Sequence, residues 1–536
     1  MIETSAQPVL QIDNLSVALP TVSDRRFAVE SLSLALQPGE ILCVVGESGS
    51  GKSAMLFAIM GLLASALRTV EGSIRFRGRE ILSLSSADMR ALRGNQLSMI
   101  FQEPMTALNP TMKIGRQIEE SLRIHTGMDR KQRRDRAMEL MRVVNIPSPE
   151  TLRERYPHQI SGGQRQRVMI AMALALEPAV LLADEPTTAL DVTTQAQILK
   201  QIKEIQRRSN TAVLLVTHDI GVVAEIADRV VVMQSGKIVE QGSTQAVLQT
   251  SQHPYTRSLL AAVPGIRHRR PRQPTAGAPE ILKVADLSKS YPSSGFWLRG
   301  SLRAPAVNDV NLVVRQGETL SVVGESGSGK STVARCVCGL LNVNRGTITI
   351  DGIKQDRKRR AGIQPVQLIF QDPNRSLDPR WTIGKSMIEG MCNIGKSKAD
   401  AVERAGDLLE KVGLQRSALN RHPHEFSGGQ RQRICIARAI SMEPRLLIAD
   451  EAVSALDVSV QAQVLSLLAE LQKEMQLGLL FITHDLRTAV QISDNIAVMY
   501  RGNIVEYGPA LDVYSNPQHA YSRQLFEASP GRRWLP

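Results

Sequence analysis

One set of short motifs is written twice along this chain, in the same order, and that repeat limits its architecture more than any other feature. GESGSGKS occupies Gly46–Ser53 and again Gly324–Ser331. SGGQRQR occupies Ser161–Arg167 and Ser427–Arg433. ADE followed by ALDV occupies Ala183–Glu185 with Ala189–Val192, and Ala449–Glu451 with Ala455–Val458. THD stands at Thr217–Asp219 and Thr483–Asp485. Lys52 and Lys330 lie 278 residues apart, Gln102 and Gln371 lie 269 apart, and Ser161 and Ser427 lie 266 apart, as do Glu185 and Glu451, and His218 and His484. The second copy is therefore shortened early and keeps one register afterwards. Two domains are expected, over residues 1–264 and 281–536. The Pro-, Gly- and Arg-rich stretch PGIRHRRPRQPTAGAPE between them reads as a linker over 265–280.

Within each copy, apolar runs precede the motifs. ILCVVG, AVLLADE and AVLLVTHD in the first copy match LSVVG, RLLIADE and LLFITHD in the second. Uninterrupted apolar strands alternating with helical stretches predict a parallel sheet covered on both faces. Between Gln102 and Ser161 the period changes. Ile114, Ile118 and Leu122 are spaced by four, and Ala137, Leu140, Met141 and Val144 follow i, i+3, i+4, i+7. This segment is predicted to be a helical subdomain.

Composition narrows the function classes. Aromatic residues make up only 4%, which disfavours a stacking surface for single-stranded nucleic acid. With 65 Lys+Arg against 52 Asp+Glu, the net charge of +13 suits acidic partners such as nucleotides or anionic lipid, and equally a basic solvated surface. Five cysteines (Cys43, Cys336, Cys338, Cys392, Cys435) form no CxxC pair, which argues against a disulfide framework or structural zinc and suits a reducing compartment. The N-terminus lacks a basic segment followed by an apolar core, so no signal peptide is expected. No apolar stretch reaches the roughly 20 residues that span a bilayer.

GESGSGKS fits the phosphate-loop pattern, and each copy follows a buried strand, the context the pattern requires. Gly46, Glu47, Ser48, Gly49, Ser50, Gly51, Lys52 and Ser53 form the first loop; Gly324, Glu325, Ser326, Gly327, Ser328, Gly329, Lys330, Ser331 and Thr332 form the second. Glycines let backbone N–H groups wrap around phosphates, and the following helix adds its positive end. Lys52 and Lys330 are placed to reach the β- and γ-phosphates of ATP, and Ser53 and Ser331 to ligate Mg²⁺. Asp184 and Asp450 end apolar strands, where they would hold Mg²⁺ through water. Glu185 and Glu451 follow them. A strand-end acid pair alone is ordinary surface; beside a phosphate loop it supplies a general base for the attacking water. His218 and His484, each 33 residues after its glutamate, would hold that water in line. Gln102 and Gln371, in FQEP and FQDP, would touch both metal and water and transmit nucleotide state to the helical subdomain.

The SGGQ motif adds a second anion site: Ser161, Gly162, Gly163 and Gln164, and again Ser427, Gly428, Gly429 and Gln430, open a helix with its N–H groups forward. A head-to-tail pairing of the halves is expected, with ATP on Lys52 closed by Ser427–Gln430 and ATP on Lys330 closed by Ser161–Gln164. Asp191 and Asp457 would lie at that interface.

With phosphate loop, FQ loop, SGGQ, ADE, ALD and THD in order, the chain resembles the ABC ATPases along nearly its whole length. That resemblance implies two phosphate-loop domains of α/β fold, each with a parallel-sheet core, an antiparallel β subdomain and a helical subdomain. FQEPMTALNP, FQDPNRSLDPR and HPYTRSLLAAVP narrow it to the oligopeptide/dipeptide/nickel importer class, and the tandem form is similar to its fused branch, which includes glutathione importers. The resemblance implies an ATP- and Mg²⁺-dependent ATPase energising peptide import. It would sit peripherally on the cytoplasmic face of the inner membrane, with two integral-membrane permeases and a periplasmic or extracellular binding protein. A soluble twin ATPase acting on ribosomes or DNA is the alternative; the short linker and the absence of zinc cysteines or long coiled coils disfavour it. An exporter would share the catalytic motifs but not the HPYTRSLLAAVP extension. Some departures stand out. Family members stack an aromatic on adenine; Tyr291 fits, whereas Leu19 occupies the matching place in the first copy. Ala452 replaces the proline that stands as Pro186 in the first copy. No cysteine follows Cys435, so no iron–sulfur cluster is expected in the C-terminal extension.

Overall fold

The computed structural model describes residues 7–20, 25–187, 190–263, 277–291, 305–355, 365–454 and 456–531. Contacts divide the chain into two compact units, whose bulk is Met1–Val263 and Pro264–Ser529. Most of the stretch read as a linker, 264–276, and Ala189 and Ala455 of the ALD segments lie outside the described residues.

The described residues of the first unit hold ten strands: β1 (Leu10–Ala18), β2 (Phe27–Leu36), β3 (Ile41–Val45), β4 (Arg68–Phe76), β5 (Arg79–Glu80), β6 (Leu97–Ile100), β7 (Val180–Asp184), β8 (Ala212–Val216), β9 (Arg229–Gln234) and β10 (Lys237–Ser243). β2, β1, β4 and β5 form one sheet in that order, with antiparallel pairing. The other sheet runs β6-β7-β8-β3-β9-β10, parallel throughout except for the antiparallel edge β10. The second unit repeats the plan. Its central strand Thr319–Val323 pairs in parallel with Gly478–Ile482 and Asn495–Tyr500, and Leu446–Asp450 lies next outward. The α/β fold with an antiparallel β subdomain and a helical subdomain is thus present twice.

The apolar runs are uninterrupted because each central strand is buried on both faces. Side chains alternate along a strand. Ile41, Cys43 and Val45 of β3 join one core with the helical subdomain, while Leu42 and Val44 join another beneath the antiparallel sheet. β7 divides the same way, Leu181 and Ala183 to the first core, Val180 and Leu182 to the second. In the helical subdomain, Ile114, Ile118 and Leu122 face inward from the helix Ile114–His125. Ala137, Leu140 and Met141 do so from the helix Arg130–Val143, with Val144 just beyond its end.

Because Phe481 is fully buried in the middle of the strand Gly478–Ile482, truncating it leaves a cavity that a parallel sheet cannot close by sliding. Phe481→Ala should therefore destabilise the second unit by about 3–5 kcal/mol. Urea denaturation followed by circular dichroism reads this as an earlier transition; an unmoved midpoint would contradict the packing described.

Candidate functional site

Five of the six strands in the β6–β10 sheet run in parallel and end on the same edge, and four of them are followed by motif residues. The phosphate loop follows β3, Gln102 follows β6, Asp184 closes β7 with Glu185 beyond it, and His218 stands two residues after β8. Open parallel sheets bind ligands at this carboxyl edge.

The loop closes on itself. Lys52 Nζ donates to the carbonyls of Gly46 and Glu47, both at 2.8 Å, and to Ser50 Oγ at 3.2 Å. In the second unit Lys330 Nζ donates to the carbonyls of Gly324 and Glu325, also at 2.8 Å. Gly51 has φ +102, and a Cβ there would meet the Ala28 carbonyl oxygen at 2.2 Å, so only glycine can make the turn into the helix Lys52–Met60. Gly49, at φ +75, has no atom within 4 Å of the same position. Its left-handed backbone faces open space, the cradle a phosphate needs.

Beside the loop, Ser53 Oγ donates to Asp184 Oδ1 at 3.1 Å, and Ser331 Oγ to Asp450 Oδ1 at 3.0 Å. A hydroxyl and a carboxylate at the phosphate end form an oxygen set suited to Mg²⁺, which binds through few protein ligands together with phosphates and water. Burial pushes the Asp184 carboxyl up to about 6, against the hydrogen bond from Ser53 and with the charge of Glu185 adding to the rise. Asp450 is raised for the same first reason. Two buried acids held above their ordinary range are sites where a cation would be favoured.

Glu185 is turned by its backbone. Its φ is +47, and that of Glu451 is +50, unusual for residues with a side chain. The Glu185 N–H donates to the Val216 carbonyl of β8, and the Glu451 N–H to that of Ile482, each at 2.9 Å. Asp184 and Glu185 therefore leave the strand end in directions that strict alternation would not give. Gln102 Nε2 donates to Glu185 Oε2 at 3.2 Å, and His218 Nδ1 lies 3.2 Å from Glu185 Oε1. In the second unit the matching distances are 2.7 Å from Gln371 to Glu451 and 3.6 Å from His484 to Glu451. The chain on either side of the histidine is tied down: Asp219 N donates to Thr217 Oγ1 at 3.0 Å, and Asp219 Oδ1 caps the next helix by accepting from Gly221 N at 2.7 Å. Burial alone would raise Glu451, but the hydrogen bond and charge of His484, the charge of Lys330 and the Gln371 amide together hold it below the usual carboxylate range. His484 is raised in return: burial opposes its charge, and Glu451 outweighs that.

SGGQ opens a helix in each unit, Gly162–Ala173 and Gly428–Ile440. Ser161 and Gln164 cap it reciprocally: Ser161 Oγ accepts from Gln164 N at 3.3 Å and Gln164 Oε1 accepts from Ser161 N at 3.0 Å. Ser427 and Gln430 do the same. The N–H groups of Gly162 and Gly163, and of Gly428 and Gly429, belong to first turns and have no acceptor within their helix. Asp191 caps the helix Val192–Ser209 by accepting from Thr194 N at 2.8 Å. Tyr291 is 38% exposed, with its hydroxyl 3.2 Å from Thr332 Oγ1 in the helix after the second loop. Leu19 is half-buried against the core beneath the antiparallel sheet.

Motif reading missed one pair of residues near the loops. The Tyr255 hydroxyl accepts from Glu47 N at 3.2 Å, and the Tyr521 hydroxyl from Glu325 N at 3.1 Å. Their separation of 266 residues, equal to that between the two signatures, was the available signal.

Removing the His484 imidazole takes away the largest influence holding Glu451 down and leaves the burial that raises it. In a Glu185→Gln background, His484→Ala should therefore move the acid limb of the kcat–pH profile to higher pH, the result expected of a general base whose carboxylate form is lost as pH falls. An unmoved limb, or one shifted to lower pH, would contradict the assigned coupling.

The profile of the family described as ABC transporter matches residues 29–188 and 307–454. That of the oligopeptide/dipeptide transporter C-terminal region matches 239–289 and 505–533. The chain is 47% identical, over 98% of its length and 90% of the relative's, to the glutathione import ATP-binding protein GsiA of Shigella boydii serotype 4. Identity is also 47% to GsiA of Escherichia coli K12, with the same coverage, and to GsiA of Pectobacterium atrosepticum, over 97% of this chain and 89% of that one. A solved dimeric ATP-binding cassette in a post-hydrolysis state with ADP and Pi is 28% identical, covering 44% of this chain and 98% of its own at a TM-score of 0.41. With matches over both halves and this identity across nearly its whole length, the chain belongs to the ABC transporter family as an ATP-binding, ATP-hydrolysing protein with two cassettes in one polypeptide.

Proposed function

We propose that the chain energises import of short peptides of the glutathione kind, hydrolysing Mg–ATP at two sites and acting through separate membrane permeases. The observation that carries the substrate class is the oligopeptide/dipeptide C-terminal region, matched once in each half, together with the glutathione-import relatives. Among the described residues no helix is long and apolar enough to cross a membrane. The transport path then belongs to two integral-membrane subunits, fed by a periplasmic or extracellular binding protein, with this chain at the cytoplasmic face of the inner membrane.

Each residue has a task in that reading. Lys52 and Lys330 exchange their loop carbonyls for β- and γ-phosphate oxygens. The loop N–H groups, Gly46 to Ser53 and Gly324 to Thr332, wrap the phosphates, and Tyr291 stacks on adenine at the second site. Ser53, Asp184 and Gln102, and Ser331, Asp450 and Gln371, hold Mg²⁺. That ion, when bound, neutralises charge developing on the transferred phosphoryl group. Glu185 and Glu451 take the proton of the attacking water, while His218 and His484 fix the carboxylate and the water in line. Ser161–Gln164 and Ser427–Gln430 each present first-turn N–H groups at the positive end of a helix, a further anion site suited to a nucleotide phosphate. Gln102 and Gln371 then report the nucleotide's state to the helical subdomains.

Purification of the tagged chain from detergent-solubilised native membranes tests the import reading. Two polytopic membrane proteins should accompany it in stoichiometric amounts, and the cognate binding protein should retain glutathione or a short peptide. Recovery with ribosomal proteins or nucleic acid, and no membrane subunit, would overturn it.

A further inference from the structure

We propose that Tyr255 and Tyr521 are positioning residues, through which each C-terminal extension fixes the first peptide of its phosphate loop and so sets ATP affinity. The peptide unit joining Gly46 to Glu47 is held at both ends. Its carbonyl accepts from Lys52 Nζ at 2.8 Å, and its N–H donates to the Tyr255 hydroxyl at 3.2 Å. The Gly324–Glu325 unit is held identically in kind, by Lys330 at 2.8 Å and Tyr521 at 3.1 Å. A peptide pinned on one side only can rotate about its flanking bonds, and glycine at one end makes that rotation easy. Pinned on both sides, it holds the carbonyl on which the lysine rests, and the lysine stays aligned for a phosphate.

Each tyrosine is itself placed by a small polar relay that both units share. Glu240, on β10, accepts from the backbone N–H of Gln252 at 2.7 Å and of His253 at 3.4 Å. His253 Nδ1 in turn accepts from Tyr255 N at 3.2 Å, capping the helix Pro254–Ala261. In the second unit Glu506 accepts from Gln518 N at 2.7 Å and His519 N at 3.1 Å, and His519 Nδ1 accepts from Tyr521 N at 3.1 Å. The surrounding residues differ: Tyr521 stacks on Tyr500 at 4.1 Å, whereas the first unit has Gln234 at that strand end. The relay and the bond to the loop are what the two units keep in common. The extension is thereby tied to the nucleotide site rather than appended to the domain.

The proposal rests on the phosphate-loop assignment, which Lys52→Ala with Lys330→Ala tests separately by abolishing nucleotide binding. In the full chain, Tyr255→Phe with Tyr521→Phe keeps both rings and removes only the hydroxyls. The KM for ATP and the Kd for the non-hydrolysable analogue AMP-PNP should rise about two- to tenfold, the effect of losing one ordinary hydrogen bond per site. The kcat should stay within about twofold, because the lost contact is not made to the reacting atoms. His253→Ala with His519→Ala keeps the hydroxyls but loosens their placement, and should weaken AMP-PNP binding in the same direction. Unchanged KM and Kd in the Phe variant, or a fall in kcat with Kd unaltered, would overturn the positioning role while leaving the loop assignment standing. Retained binding in the lysine variant would overturn both.

Discussion

The parallel register of the central sheet is the constraint on which the rest depends. Because β3, β6, β7 and β8 run the same way, their ends meet at one edge, and residues as far apart in sequence as Ser53 and Asp184 come within hydrogen-bond reach. Ser53 meets Asp184, and Gln102 and His218 meet Glu185, only because of that alignment. Parallel strands demand crossovers and cover on both faces. The helical subdomain and antiparallel sheet supply that cover, and the two cores divide the side chains of each central strand between them.

On this platform the site is assembled by local backbone geometry more than by side-chain length. Left-handed glycines turn the loop, and a left-handed glutamate turns out of the strand end. The glutamate's conformation costs free energy of order 1–3 kcal/mol, offset by the sheet bond to β8 and by its glutamine and histidine partners. Its occurrence at Glu185 and Glu451 alike, each directly after a strand-end aspartate, marks it as a feature of the site. Lysine bonds to the Gly46 and Gly324 carbonyls hold each ammonium group within its loop.

Much of this was legible in the sequence. Uninterrupted apolar runs gave the buried strands, and the i, i+3, i+4, i+7 pattern at Ala137, Leu140, Met141 and Val144 gave the helical subdomain, because both signals come directly from burial. The fixed offsets between copies tied Gln102, Glu185 and His218 to Gln371, Glu451 and His484. Other features were not legible. Side-chain periodicity says nothing about φ at Glu185, which depends on where β8 ends. Ser161 and Asp191 read as ligand- or interface-facing groups, and the caps that both also make on their own helices, a local role that a short polar residue takes wherever a helix begins, were not part of that reading. Tyr255 sits in a motif that pointed to a family, and its contact with Glu47 is made 208 residues away in sequence.

The central claim is that each unit binds its own nucleotide on its own phosphate loop. Native mass spectrometry of the full chain with Mg²⁺ and AMP-PNP tests it most directly. Two nucleotides per polypeptide at saturation is the predicted result; a single nucleotide, or none, would contradict the account.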